Sequence, residues 1–152
     1  MNIIRIQAGP FDAAAELTPL SALGGGAVAS FLGIARSDTN SDGAVTAIEL
    51  EHYPAMTQAA LVALADAAQA RWPLLGCVII HRVGVIAVNE AIVLVGTASL
   101  HRAAALESTA FLIDRLKTEA PFWKKEHRSS GTAIWVDAKE SDDAVARKWR
   151  QA

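Results

Sequence analysis

Lys117-Thr118-Glu119-Ala120-Pro121-Phe122-Trp123-Lys124-Lys125-Glu126 is the stretch at which a long apolar helix has to stop. Proline has no N–H to donate, and its ring pushes the preceding residue, Ala120, away from helical geometry. Upstream, from about residue 101 to 119, Leu106, Ala110, Ile113 and Leu116 recur at helical spacing and predict one apolar face. Beyond Pro121 the chain is expected to turn at Phe122-Trp123, whose rings anchor it, so that Lys117 and Lys124 flank one cavity. Two ammonium groups so placed converge on one anionic substrate. Ordinary capping is the competing reading of Lys117, because the helix dipole favours a cation in a last turn.

Working outward, residues 1–7 alternate like a strand, and Gly24-Gly25-Gly26 opens a loop without the spacing of a phosphate-binding fingerprint. Residues 27–33 read as a buried strand. Ser37-Asp38-Thr39-Asn40-Ser41-Asp42-Gly43 is a loop by composition, and residues 44–51 form the next strand, which leaves Arg36 at a strand end facing that loop. Leu61, Leu64, Ala65, Ala68 and Trp72 mark a helix over residues 55–72 that Pro73 ends. Strands follow at 77–83 and 91–99, joined by a turn near Asn89-Glu90, and a last strand is expected at 132–138. Ser141-Asp142-Asp143 starts a short final helix ending near Trp149. Strands and helices intermix without a strict βαβ repeat, so the expected class is α+β.

A chain of 152 residues fits one domain, expected to span 1–152. No apolar run is long enough to cross a bilayer, and the N-terminus lacks the basic start, apolar stretch and cleavage site of a signal peptide; the expectation is a cytoplasmic protein without membrane attachment. The one cysteine, Cys77, sits in the apolar run Cys77-Val78-Ile79-Ile80, where it reads as a small buried hydrophobe, and no intrachain disulfide is possible. His52, His81, His101 and His127 are scattered, so neither a metal nor a cofactor is expected. A net charge of −2 argues against a nucleic-acid partner. Any anion site must then be a local cluster.

His101-Arg102 is a second candidate, since two potential cations in a first helical turn oppose the positive end of the dipole unless an anion joins them there. A solvated arginine beside a capping histidine is the alternative. His101 and Lys117 are sixteen residues apart, which in a continuous helix is about 24 Å. One small substrate cannot touch both ends. If both clusters serve one site they come from different copies, which predicts a dimer with its pocket across the interface. Arg36, Lys117, Lys124 and the His101-Arg102 pair together suit a phosphorylated substrate, with arginine gripping bidentately and a lysine, its pKa lowered by neighbouring cations, free for chemistry. Glu49, Glu51, Glu119 and Glu126 read as surface charges, although Glu126, near Lys124, could orient it.

Several motifs in one order carry a family resemblance: Leu50-Glu51-His52-Tyr53-Pro54-Ala55-Met56, Ile80-His81-Arg82-Val83-Gly84, His101-Arg102, the stretch 117–126, and Trp135-Val136-Asp137-Ala138-Lys139. From residue 3 to 149 the chain resembles the large, catalytic subunit of molybdopterin synthase. That resemblance implies an α/β hammerhead fold and the conversion of cyclic pyranopterin monophosphate to molybdopterin, with two sulfurs installed as a dithiolene. It implies a small ubiquitin-like partner carrying the sulfur as a thiocarboxylate on its C-terminal Gly-Gly, and a central homodimer bearing one partner at each end, a heterotetramer. By motif, Ile34-Ala35-Arg36 and His101-Arg102 resemble the pterin- and phosphate-binding segments, and Lys117 the catalytic lysine beside the partner's C-terminus. Lys124-Lys125-Glu126 resembles the second substrate segment, with Lys124 paired to Lys117 in catalysis. Lys139 matches a basic position reaching across the dimer. Residues 37–43 depart from the family, being one residue longer and lacking its His-Asn pairing, so no contact is carried over to that loop. Cys77 is a poor persulfide carrier, in keeping with sulfur that arrives on a partner.

Two rival functions fit the cationic clusters without the resemblance. One is a Schiff-base enzyme using Lys117 on a phosphorylated carbonyl compound; the other is a non-catalytic dimer that binds a phosphorylated ligand.

Overall fold

Nine strands and four helices make up the computed structural model, which describes residues 1–136 and 140–151. In chain order they are β1 (Asn2–Gln7), α1 (Ala13–Ser21), β2 (Ala27–Ile34), β3 (Thr39–Asn40), β4 (Gly43–His52), α2 (Pro54–Arg71), β5 (Leu74–Arg82), β6 (Gly84–Ala87), β7 (Ala91–Ser99), α3 (Arg102–Glu119), β8 (Phe122–Arg128), β9 (Ala133–Val136) and α4 (Glu140–Arg147), followed by a 3-10 turn, Lys148–Gln151.

The first sheet has four strands in the order β1-β5-β7-β2, with β1 and β5 parallel and the remaining pairs antiparallel. Alternation along β5 divides the core. Cys77 and Ile79 point to one face, where α2 and α3 supply Leu61, Leu64, Phe111, Leu112 and Leu116. Val78 and Ile80 point to the other, against Leu20 of α1. Both faces of β5 are thus covered, which explains its unbroken apolar run. The second sheet is built around β4, with β8 on one edge, β6 and the short β3 on the other, and β9 beyond β8. Its small core of Val45, Ile48, Leu50 and Ile86 meets the first sheet at Ile92. The class is α+β, as the intermixed pattern predicts.

Four expectations change. Residues 27–33 do form a strand, but not a buried one: Val28, Phe31, Leu32 and Ile34 are 40%, 37%, 42% and 45% exposed, because β2 is an edge strand with no strand beyond it among the described residues. Leu106 is 60% exposed, since the buried stripe of α3 runs through Ala105, Ser108, Thr109, Leu112 and Leu116 and passes it by. Phe122-Trp123 is no turn: the chain turns at Ala120-Pro121 and Phe122 already starts β8. The loop at 37–43 contains β3 and folds back as a hairpin. Its Gly43 has φ of 95° and a side chain there would strike Ser129, while the buried Arg128 donates to the Gly43 carbonyl at 3.0 Å and pairs with Asp38 at 3.0 Å. The last strand ends at Val136 within the described residues; the expected extension to 138 lies outside them.

Cys77 is buried, and burial pushes its thiol up to about 11. We expect Ellman's reagent at pH 8 to leave the native chain unlabelled and to react once it is unfolded. A stoichiometric burst from native protein would contradict this placement.

Candidate active site

α3 leaves the end of β7 and packs back across β7 and β2. Its 18 residues run without a break from Arg102 to Glu119, a length of about 27 Å. Two ends of the sheet are therefore defined. At one lie His101, an exposed N-cap residue whose side chain makes no capping bond, and Arg102, also exposed. At the other lies Lys117, exposed in the last turn. β2 runs antiparallel to β7, Ala27 opposite Ser99 and Ile34 opposite Ala91, so Arg36 lies at the Lys117 end. Ala35 is buried and both its backbone groups bond the turn before β7, from its N–H to the Glu90 carbonyl at 2.9 Å and from the Asn89 N–H to its carbonyl at 2.7 Å. Exposed Ile34 and Arg36 are thereby held on either side of it.

The corner after α3 places the second lysine. Ala120 is extended (φ −80°, ψ 125°), and the Pro121 carbonyl accepts from buried Thr57 of α2 at 3.2 Å. In β8, Lys124 pairs in register with Leu50 and Glu126 with Ile48, both buried, so these two side chains share the inner face with Phe122. Lys125 alternates to the outer face, its ammonium 4.5 Å from the centre of the Trp135 ring, and Trp123 packs there edge-on to Tyr53. The segment 124–126 thus presents two side chains inward and one outward. The Glu126 carboxylate lies 3.5 Å from Arg128. Lys139 lies outside the described residues.

Phe122 sits at the centre of this corner. His81 of β5 stacks on its ring at 3.8 Å between centroids with 15° between planes, and His52 of β4 lies at 6.2 Å and 28°. Burial, more than the nearby His52 and Lys117, lowers the pKa of His81 to about 4. The sequence reading missed this imidazole as a member of the site. The signal was the alternation of Cys77, Ile79 and His81, which puts all three on the α2–α3 face.

A cavity of 270 Å³ opens beside Lys117, lined by Phe31, Ile113, Asp114, Lys117, Asp142 and Val145. Among the described residues, Lys117 is the only cation in that wall, against two carboxylates, although Asp114 is engaged by Lys148 at 3.2 Å and by the Trp149 indole N–H at 2.7 Å. One chain alone therefore brings Lys117, Lys124 and Arg36 to one end of the fold and leaves His101-Arg102 at the other. Among the described residues no cluster of His, Cys, Asp and Glu is arranged to hold a metal, and no helix is long and apolar enough to cross a membrane.

Known proteins resemble the chain in both sequence and fold. The MoaE protein family matches residues 6–119. The chain is 49% identical to the molybdopterin synthase catalytic subunit of Mesorhizobium japonicum, over 98% of this chain and 94% of that one. In structure it is similar to the molybdopterin biosynthesis MoaE protein of Burkholderia ambifaria, with a TM-score of 0.81, 45% identity and 98% of both chains covered. It shares its fold with a chain of the Helicobacter pylori complex of subunits 1 and 2 of molybdopterin-converting factor, at a TM-score of 0.73, 22% identity and 90% of both chains. A helix whose two ends carry the cationic motifs, a proline corner between two lysines, and identity near one half along nearly the full length converge on one assignment: the chain belongs to the MoaE family.

Proposed function

We propose that the chain, read as one domain, is the catalytic subunit of a cytoplasmic molybdopterin synthase. It converts cyclic pyranopterin monophosphate to molybdopterin in molybdenum cofactor biosynthesis, taking both dithiolene sulfurs from the C-terminal Gly-Gly thiocarboxylate of a small ubiquitin-like partner. The observation that carries this reading is the corner at Pro121, which puts Lys117 and Lys124 on either side of Phe122. Lys117, exposed at the helix end, meets the partner's anionic terminus. Lys124 and Arg36, with Ile34-Ala35 beneath, meet the pterin, and Lys125, Glu126 and Lys139 complete the substrate segments. His101 and Arg102 of a second copy grip the phosphate, since α3 holds this copy's pair at its far end. The uncovered apolar side chains of β2 are the seam of that homodimer, and Phe31 belongs both to the seam and to the Lys117 cavity. A partner on each catalytic subunit completes a heterotetramer.

Mixing the chain with a thiocarboxylated partner and the cyclic pterin, and assaying dithiolene product, tests the whole reading. No product over many hours would end it. Borohydride trapping of Lys117 with phosphorylated carbonyl compounds would instead favour a Schiff-base enzyme. The shared pocket has its own test. Inactive Arg102→Ala and inactive Lys117→Ala chains are expected to regain activity when mixed, because one pocket of each mixed dimer then has both wild-type clusters. Verified subunit exchange without recovered activity would place both clusters in one protomer's site.

A further inference from the structure

We propose that His81 is a positioning residue for the two-lysine corner, acting through the ring of Phe122; the inference rests on the synthase reading above. His81 is 6% exposed, and its ring lies nearly parallel to Phe122 at 3.8 Å. Phe122 follows Lys117 by five positions and precedes Lys124 by two. Residues two apart in a strand project to one face, so the orientation of Phe122 sets that of Lys124. On its other side Pro121 fixes φ, which couples Phe122 to the last turn of α3. A ring clamped face to face therefore holds both lysines relative to the core of the first sheet.

The clamp itself is anchored. His81 Nδ1 lies 2.8 Å from the Arg82 carbonyl, which only accepts, so Nδ1 carries the proton and donates. Arg82 is fixed in turn: its buried guanidinium donates to the Ala8 carbonyl at 3.1 Å and to the Glu90 carboxylate at 2.7 Å. With its pKa lowered to about 4, the imidazole is neutral at neutral pH and places no second charge beside the Lys117 ammonium. A base that weak does not deprotonate an ammonium group, so the work of His81 is to hold and not to move a proton.

The test compares wild type with His81→Ala, His81→Asn and His81→Phe, each assembled with the thiocarboxylated partner, for kcat and for KM of the cyclic pterin. Misplaced lysines are expected to cost His81→Ala about 10²-fold in kcat, with KM much less affected. His81→Phe, which restores a ring against Phe122, should recover more of kcat than His81→Asn, which restores only a donor to the Arg82 carbonyl. Wild-type kcat in His81→Ala, or rescue by Asn equal to that by Phe, would overturn the proposal; if His81→Ala does not fold, the Asn and Phe variants decide alone. A second readout is independent of turnover: acetylation rates of Lys117 and Lys124 in the free chain, relative to Lys148, which Asp114 holds outside the stack. Both rates should change in the ringless His81→Asn and return toward wild type in His81→Phe, and unchanged rates would refute the clamp. An inactive wild type would count against the synthase reading alone, with the labelling still deciding the role of His81.

Discussion

Lys117→Ala is expected to lower dithiolene formation by about 10²–10³-fold, the cost of removing one charge-stabilising group from a prepared site, while the chain stays folded. The side chain is exposed and is not part of the buried core. Alanine is a better helix former than lysine, and the lost dipole interaction in a last turn is worth only about 0.3–1 kcal/mol. Stability and activity should therefore separate cleanly: a thermal melt close to wild type beside a nearly dead enzyme in single turnover with preformed thiocarboxylated partner. Lys124→Ala should be severe as well, since the corner at Pro121 brings the two ammonium groups to one end of the fold. A loss of only a few-fold for Lys117→Ala would remove it from the centre of the chemistry.

Phe111→Ala should do the reverse and cost about 3–5 kcal/mol of stability. Phe111 is fully buried under α2, meets Trp72 and Trp149 edge-on at 5.1 and 5.6 Å, and lies under the guanidiniums of Arg71 and Arg115 at 5.1 and 5.0 Å. Arg71 also donates to the Trp149 carbonyl at 2.8 Å, so the ring is the floor on which the C-terminal segment rests. That segment carries Asp142 and Val145 into the wall of the Lys117 cavity. For a chain of this length the loss corresponds to a melting point lower by roughly 10 °C, measurable by calorimetry. A shift of a degree or two would mean that the site collapses around the missing ring.

Periodicity makes the two long helices and the central strands legible in the sequence alone. α2 and α3 announce themselves by apolar spacing and by the prolines that end them, and β5 by its apolar run. β8 was illegible because Phe122-Trp123-Lys124-Lys125-Glu126-His127-Arg128 has no apolar alternation: its inner face carries Lys124 and Glu126 opposite Leu50 and Ile48. A strand that serves a polar site loses the pattern by which strands are recognised. α1 escaped notice since Pro19 sits inside it. The exposure of β2 was hidden for a different reason: an edge strand of apolar residues has the same composition as a core strand. At the site, charge and the helix rise located both cationic clusters and their separation, whereas alternation along β5 gives the face of His81 but not its stacking on Phe122, which depends on how the two sheets pack together.

Cys77 shapes how the enzyme fails. Peroxide attacks thiolates, and a thiol sealed beneath two helices with its pKa near 11 offers almost none. The catalytic chain therefore handles two sulfurs per product without a reactive thiol of its own, and no thiol needs a reductant to reset it between turnovers. Oxidation directed at thiol-type sulfur would fall on the delivered thiocarboxylate and spare Cys77.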